Sequence, residues 1–165
     1  MSAIVHRQWI ATAACTLACS FAAATASAQQ VHTFPGSSCQ ASGSAQDLFY
    51  SGTLAANRTA ATSSAVCPMV RSRGTAPWLN VAVFVRDRHS TQDITCIAEA
   101  RDLTGVAGIG WSQTLSTSGT GDQTLIFAPP GGPVPNYGPY VVVCSLPPMV
   151  NNLPSYIASY AVVEP

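Results

Sequence analysis

The amino-acid sequence predicts an all-β protein: an antiparallel β-sandwich of about eight strands, jelly-roll or immunoglobulin-like, with two disulfides. Short apolar runs rich in β-branched residues recur along the chain, and turn residues separate them. No window after the first 28 residues has a convincing helical period. Four widely spaced cysteines, Cys39, Cys67, Cys96 and Cys144, supply the predicted disulfides.

Residues 1–28 have the order of a secretory signal peptide. A basic start precedes an apolar run over 9–24, and small residues up to Ala28 precede two glutamines, which indicates cleavage after Ala28. A transmembrane anchor is disfavoured because the run is rich in Ala, Thr and Ser and lacks the roughly 20 strongly apolar residues of a span. Lipoprotein processing at Cys19 is disfavoured because Leu17 lies one place too close to the cysteine for a good lipobox. We expect a secreted or periplasmic protein without membrane insertion after cleavage.

The mature chain has the length of one domain. Residues 29–46 are small, polar and glycine-containing, and they predict an N-terminal arm that Cys39 ties down. Residues 47–165 are predicted to form the single β-sandwich domain.

Eight segments have the length and composition of strands. In chain order they are Asp47–Leu54, Ser64–Val70, Leu79–Arg86, Ile94–Ala100, Ile109–Ser116, Gln123–Phe127, Tyr140–Leu146 and Tyr156–Val163. Glycine pairs, a Ser118–Asp122 turn and a proline-rich stretch from Pro129 separate them. Prolines beside Cys67 and after Leu146 fit strand ends, bulges or edges, where a missing donor is tolerated.

The segment Leu79–Arg86 is the strongest strand candidate. Val81, Val83 and Val85 alternate onto one side, while Ala82 and Phe84 lie on the other. A strand that is apolar on both sides belongs in the middle of a sheet covered on both faces, or at a buried interface. The three consecutive valines at 141–143 predict a strand in the same kind of position.

The mature cysteines are expected to be structural. Removing the signal also removes Cys15 and Cys19, which leaves an even number in a compartment where disulfides persist. Three connectivities are open, and we prefer Cys39 with Cys67 and Cys96 with Cys144, because each pair joins a residue near an element to a later apolar strand. A zinc site is disfavoured because its ligands usually come in close pairs. We therefore expect no metal and no cofactor.

The low charge of the chain disfavours nucleic acid as a partner. Only 8% of the residues are charged, against roughly 25% in an average soluble protein. All seven basic residues are arginines, and without Arg7 six arginines face seven acids, so the mature net charge is 6 − 7 = −1. Arg71, Arg73, Arg86 and Arg88 cluster in sequence and suggest either an anion-binding patch or solvated strand ends, of which we favour the latter.

The chain resembles a loose group of small, uncharacterised exported bacterial proteins. The resemblance rests on three segments around cysteines and prolines, Cys67–Arg71, Asp93–Cys96 and Cys144–Pro148, and on Tyr156, Tyr160 and Glu164 near the end. It implies the disulfide-stapled β-sandwich pattern. The group brings no activity to carry over to this chain.

No catalytic constellation is visible in the sequence, so we predict that the protein is not an enzyme. A nucleophile signature such as GxSxG is missing, and His89 beside Asp87 and Asp93 is better explained as a turn residue. A glycosidase needs two carboxylates at a set separation, and the neighbouring Glu99 and Asp102 are explained by a strand end.

A binding role through a surface is the predicted function, structural or with a protein partner at the cell envelope or outside the cell. The proline- and glycine-rich stretch Pro129–Pro139 has the composition of an exposed docking loop, although a plain connection explains it too.

The alternative is a protein similar to carbohydrate-binding modules, in which exposed aromatic rings stack on sugars. Trp78, Trp111, Tyr137 and Tyr140 are the candidate ligand-binding residues because they lie near loops or strand ends. Trp111 opens an alternating Trp111, Gln113, Leu115 pattern, for which we favour an orientation towards the core. The unknown partner is therefore a protein or a glycan.

Overall fold

The computed structural model describes residues 29–43, 48–70, 80–101, 109–129 and 139–165, so the predicted signal lies outside the described residues. The described part contains strands and one turn of 3-10 helix, Gly36–Ser38. In chain order the strands are β1 Gln30–Pro35, β2 Gln40–Ala41, β3 Phe49–Ser51, β4 Leu54–Ala56, β5 Ser63–Met69, β6 Asn80–Asp87, β7 Thr95–Arg101, β8 Ile109–Ser116, β9 Gly121–Phe127, β10 Tyr140–Leu146 and β11 Tyr156–Glu164. In these ranges no helix has the length and apolar character needed to cross a membrane.

Two antiparallel sheets pack face to face, which confirms the predicted β-sandwich. The six-stranded sheet has the order β3-β4-β11-β6-β9, and β1 also pairs with β11. Strands β1 and β4 lie end to end along β11, since β1 pairs with Ser159–Glu164 and β4 with Tyr156 and Ile157. The five-stranded sheet has the order β2-β5-β10-β7-β8. The inner faces of both sheets form one hydrophobic core.

The two strands with the strongest apolar patterns lie inside their sheets. Strand β6 lies between β11 and β9, and Val81, Val83 and Val85 are buried against the other sheet. Strand β10 lies between β5 and β7, with Val142 buried and Val141 and Val143 half-buried. Cover on both faces does not hold for β6, because Phe84 on its outer face is 39% exposed. The outer face of the six-stranded sheet therefore carries apolar side chains that remain accessible.

The structure differs from the sequence prediction at the N-terminal arm, because residues 30–41 are part of the sandwich. Strand β1 pairs with β11 over its full length, and the Phe34 ring stacks on Tyr160 with the centroids 5.1 Å apart. Gly36 then turns the chain towards the second sheet, where a Cβ atom would collide with the Ile157 carbonyl oxygen. Strand β2 pairs with β5. Two alternate side chains of β1 are thus partly buried, which the polar composition of this segment did not indicate.

The predicted strand Asp47–Leu54 is in fact a hairpin. Strands β3 and β4 pair from Phe49 opposite Ala56 to Ser51 opposite Leu54. Gly52 in the turn has φ of +57°, a left-handed conformation that glycine adopts without steric cost. The turn therefore reverses the chain in the middle of the predicted strand.

Both disulfides lie within the five-stranded sheet and follow the preferred pairing. Cys96 on β7 is directly opposite Cys144 on β10, and the two are bonded across a separation of 48 residues. Cys39 is bonded to Cys67 on β5 across a separation of 28 residues. The pairing of Gln40 with Val66 places Cys39 opposite Cys67 in the same register. Each bond therefore joins two neighbouring strands on the core side of one sheet.

A buried carboxylate holds four chain segments together at one end of the sandwich. Asp87 is fully buried, and its Oδ1 accepts hydrogen bonds from the His89 backbone N–H at 2.9 Å and the Ser155 hydroxyl at 3.1 Å. Its Oδ2 accepts from the Ile94 backbone N–H at 3.0 Å and the Thr117 hydroxyl at 2.6 Å. The carboxylate therefore links the end of β6 to the starts of β7 and β11 and to the β8–β9 turn.

Asn57 fixes the segment after β4 in a similar way. Its buried amide lies within hydrogen-bond distance of the carbonyl oxygens of Ala61, Leu146 and Pro147, at 2.8, 3.0 and 2.8 Å. Its Oδ1 accepts from the Thr59 backbone N–H and hydroxyl, both at 2.8 Å. The backbone on both sides of Arg58 is therefore held in one conformation.

Tyr160 is expected to titrate well above an exposed tyrosine. Its side chain is buried and its hydroxyl donates to the Pro68 carbonyl oxygen at 2.7 Å, and burial raises its pKa from 10.0 to about 12. Because the unfolded chain loses this proton near pH 10 and the folded protein only near 12, the free energy of unfolding should fall across this pH window. Ultraviolet difference titration and alkaline denaturation test this expectation, with Tyr160→Phe as the control. If the free energy of unfolding of the variant fell as steeply with pH as that of the parent protein, the expectation would be contradicted.

Candidate functional site

The candidate site is the outer face of the six-stranded sheet, where the strand register collects aromatic and polar side chains. Phe49, Ala56, Tyr156, Arg86 and Asp122 stand directly opposite one another on five successive strands, from β3 to β9. Directly paired residues in an antiparallel sheet point to the same face. These five residues therefore form one row that crosses the sheet.

Phe84 stands in the neighbouring row of the same face. It lies opposite Ser159 of β11 and Thr124 of β9. The register of β11 against β6 shifts between Ile157 and Ser159, so β11 carries an extra residue, Ala158, beside Phe84. Such a bulge opens the local spacing of side chains.

A shallow depression forms where the two rows meet. It has a volume of about 260 Å³, and its lining comprises Phe84, Val85, Asp122, Gln123, Thr124, Tyr156 and Ala158. Two aromatic rings border it, and the Asp122 carboxylate and the Thr124 hydroxyl are available for hydrogen bonds, whereas the Gln123 amide is bonded to the backbone of the β8–β9 turn. This combination of flat apolar surface and a few polar groups is typical of small-ligand and sugar sites.

The charges at the depression are already partly matched. Arg86 Nε lies 3.4 Å from Asp122 Oδ1, and Asp122 is the more exposed partner. An exposed ion pair of this kind contributes little to stability, at most about 1 kcal/mol. The exposed Asp122 carboxylate is therefore accessible to a ligand, and loss of its contact with Arg86 would not endanger the fold.

Two of the four aromatic residues that the sequence proposed for ligand binding, Trp111 and Tyr140, lie within the described residues. Trp78 and Tyr137 lie outside the described residues. Trp111 is half-buried and packs against the core, as the alternation of β8 favoured. Tyr140 is 1% exposed, because its place on β10 directs the ring into the core, so it offers no surface to a ligand. The sequence analysis missed Phe84 and Tyr156 as site residues.

One sequence signal pointed towards Phe84. Its position opposite to Val81, Val83 and Val85 in the alternation of β6 places it on the other face of the strand. That face was expected to be covered, so the residue was not assigned to a site. Tyr156 had no such signal, because its proximity to Phe84 depends on the register of β11 against β6, which pairs Tyr156 with Arg86.

Asp87, Glu99 and His89 serve the fold. Asp87 is saturated by its four donors, and the Glu99 carboxylate accepts from Arg101 Nε at 2.7 Å. The His89 Nδ1 accepts from the backbone N–H groups of Thr91 and Gln92, at 3.2 and 3.0 Å, as a turn residue would. Across the described segments, no three His, Cys, Asp or Glu side chains lie close enough to hold a metal ion.

Comparison with known proteins gives no family for this chain. No family model matches it, and neither does any curated protein. Among solved structures, it is similar to a GH26-CBM35 β-(1,4)-mannanase of Podospora anserina, with 9% identity and a TM-score of 0.48. That match covers 82% of this chain and only 28% of the mannanase chain. The chain is also similar to CBM86, a low-affinity xylan-binding module from Roseburia intestinalis, with 12% identity and a TM-score of 0.49 over 84% of this chain and 96% of the module.

Proposed function

We propose that the protein is an exported, non-catalytic binding protein that recognises a polysaccharide on the outer face of its six-stranded sheet. The observation that carries the proposal is the depression between Phe84 and Tyr156, with the polar groups of Asp122, Gln123 and Thr124 in its lining. Its place of action is outside the cytoplasm, secreted or periplasmic. Two buried disulfides support that location, because such bonds persist in oxidising compartments.

The chemistry of the depression suits a sugar ring. A pyranose presents an apolar C–H face that packs on an aromatic ring, and its rim of hydroxyl groups both donates and accepts hydrogen bonds. The Thr124 hydroxyl can do the same, while the Asp122 carboxylate only accepts. The depression opens to solvent on the outer face of the sheet, where a chain-like ligand can approach it.

A non-catalytic role fits the described carboxylates. Asp87 and Glu99 are engaged in structural hydrogen bonds, and Asp122 lies beside Arg86. Two carboxyl groups flanking one sugar, which glycoside hydrolysis needs, are not found in the depression, whose only carboxylate is Asp122. Binding without bond cleavage is therefore the function that we propose.

Alanine in place of Phe84 or Tyr156 is expected to weaken polysaccharide binding about tenfold or more. Loss of one stacked ring removes roughly 1.5 kcal/mol or more of apolar contact, which is a factor of about ten in affinity. Affinity electrophoresis and calorimetry on a panel of soluble polysaccharides, with oxidised protein from Gln29 onwards, measure this effect. The matched control is Tyr50→Ala, an exposed aromatic residue on the opposite side of β3.

Two results would count against the proposal. Silence across the whole panel is one, and unchanged binding in both Phe84→Ala and Tyr156→Ala is the other. Trp78→Ala and Trp111→Ala belong in the same series, because loss of binding in either variant would move the site away from this face.

A protein partner on the same face is the second candidate. Val31 and Ile126 are each 61% exposed there, in addition to Phe84, which is more large apolar surface than a solvent-facing sheet needs. A protein that covers this face would bury these side chains directly. If the glycan panel is silent, these positions are the ones to substitute in a search for the partner.

A further inference from the structure

An arginine overhangs the far end of the row that crosses the sheet. The Arg58 guanidinium carbon lies 3.5 Å above the centroid of the Phe49 ring, and Phe49 begins the row that continues through Ala56 to Tyr156. Phe49 and Tyr156 are two strand spacings apart, about 10 Å. The residue between them in the row is the small Ala56, which is 4% exposed. A cation therefore stands at one end of a track that starts at the depression.

The guanidinium of Arg58 is held in place from two sides. Stacking uses its flat face, so the in-plane N–H groups point away from the ring and stay available to an acceptor. Its backbone is fixed by Asn57, whose amide lies within hydrogen-bond distance of the Leu146 carbonyl oxygen and whose Oδ1 accepts from the Thr59 N–H. A planar donor fork that is oriented in advance matches a carboxylate, which it binds through two parallel hydrogen bonds.

No ion pair engages Arg58 within the part of the chain that the structure describes. The pairs found there join Arg86 to Asp122, Arg101 to Glu99 and His32 to Glu164. Arg58 is exposed, and its guanidinium lies over the Phe49 ring.

We propose that this face selects an acidic polysaccharide, one that contains uronic acid residues, and that Arg58 binds its carboxylates. This inference rests on the proposed function and adds the substrate class. One sugar packs on Tyr156 and Phe84, and the chain runs across β4 so that a carboxylate further along meets the fork of Arg58. The separation of Phe49 and Tyr156 means that a single sugar does not reach both contacts, so affinity should grow with oligosaccharide length.

The test compares one polymer with and without its charge. Polygalacturonate should bind the mature oxidised protein about fivefold more tightly than its methyl ester at low salt. An exposed ion pair changes an affinity by up to about this factor. Raised salt should shrink that preference. Arg58→Gln should remove most of the preference, and Arg58→Lys should restore only part, because lysine keeps the charge but loses the stacked fork.

The control is Arg101→Gln, which changes the net charge equally but lies on the five-stranded sheet. Its preference for the acid should stay intact, with melting temperatures recorded for every variant. Equal binding of acid and ester, or an unchanged preference in Arg58→Gln, would overturn the inference while neutral glycan binding still upheld the proposed function. Binding of polyglutamate as tight as polygalacturonate would also overturn it, since a carboxylate without a sugar would then suffice. No binding of any glycan would remove the proposed function itself.

Discussion

Replacement of Cys96 and Cys144 by alanine is expected to lower the free energy of unfolding by roughly 4 kcal/mol, the value that the chain-entropy model gives for a loop of this size. The bond closes 48 residues of sequence between directly opposed positions on β7 and β10. Its loss also removes buried sulfur atoms from the core, so the effect should not fall below that of loop closure alone. For a domain that is typically stable by 5–15 kcal/mol, this is a large fraction of the total.

Urea denaturation of the double variant, followed by tryptophan fluorescence, measures the change. The companion double variant replaces Cys39 and Cys67, whose bond closes a shorter loop of 28 residues. Its free energy of unfolding should therefore fall slightly less, by roughly 3.5 kcal/mol. If the free energy of unfolding fell by less than about 1 kcal/mol in the variant of Cys96 and Cys144, the chain-entropy explanation, in which the bond restrains the unfolded chain, would be wrong.

Asp87→Ala is expected to lower the free energy of unfolding by about 3 kcal/mol or more. The substitution removes an acceptor from four donors, namely the N–H groups of His89 and Ile94 and the hydroxyls of Thr117 and Ser155. The Ile94 N–H keeps the Thr117 hydroxyl oxygen as a second acceptor, at 2.9 Å. Thr117 can still donate elsewhere by rotation, but a backbone N–H cannot turn. A buried donor without a partner costs roughly 1–3 kcal/mol.

Asp93→Ala provides the matched control for this carboxylate. Asp93 lies in the same loop region but is exposed, and its one hydrogen bond to the Gly119 N–H is long, at 3.4 Å. Its removal should change stability by no more than about 0.5 kcal/mol. Denaturation curves in which the two variants lose equal stability would contradict the role assigned to Asp87.

The core strands were predictable from sequence because their patterns are local. Alternating valines in β6 and the apolar run of β10 identify strands that must face a core, and both were placed within a residue of their observed ends. Strand β1 was missed because its packing depends on one long-range contact, Phe34 on Tyr160. The β3–β4 hairpin was missed because a single glycine, Gly52, reverses a segment whose composition looks continuous.

The candidate site was far less predictable than the fold. Tyr156 and Phe84 are separated by most of the mature chain, and only the register of β11 on β6 brings them to one face. Arg58 has no sequence signal for a role at all, since its position over Phe49 depends on the buried amide of Asn57 and the neighbouring hairpin. Sequence patterns report which side of a strand a residue occupies, whereas a site needs the pairing partner as well.

Both disulfides belong to the five-stranded sheet, whereas the proposed ligand contacts lie on the outside of the other sheet. Oxidation and ligand binding therefore act on opposite halves of the molecule and meet only in the shared core. Each favours the folded state over the unfolded one, so by thermodynamic linkage their contributions add without direct contact. A reduced protein should then keep its intrinsic affinity in the fraction that remains folded, and a tightly bound ligand should raise that fraction.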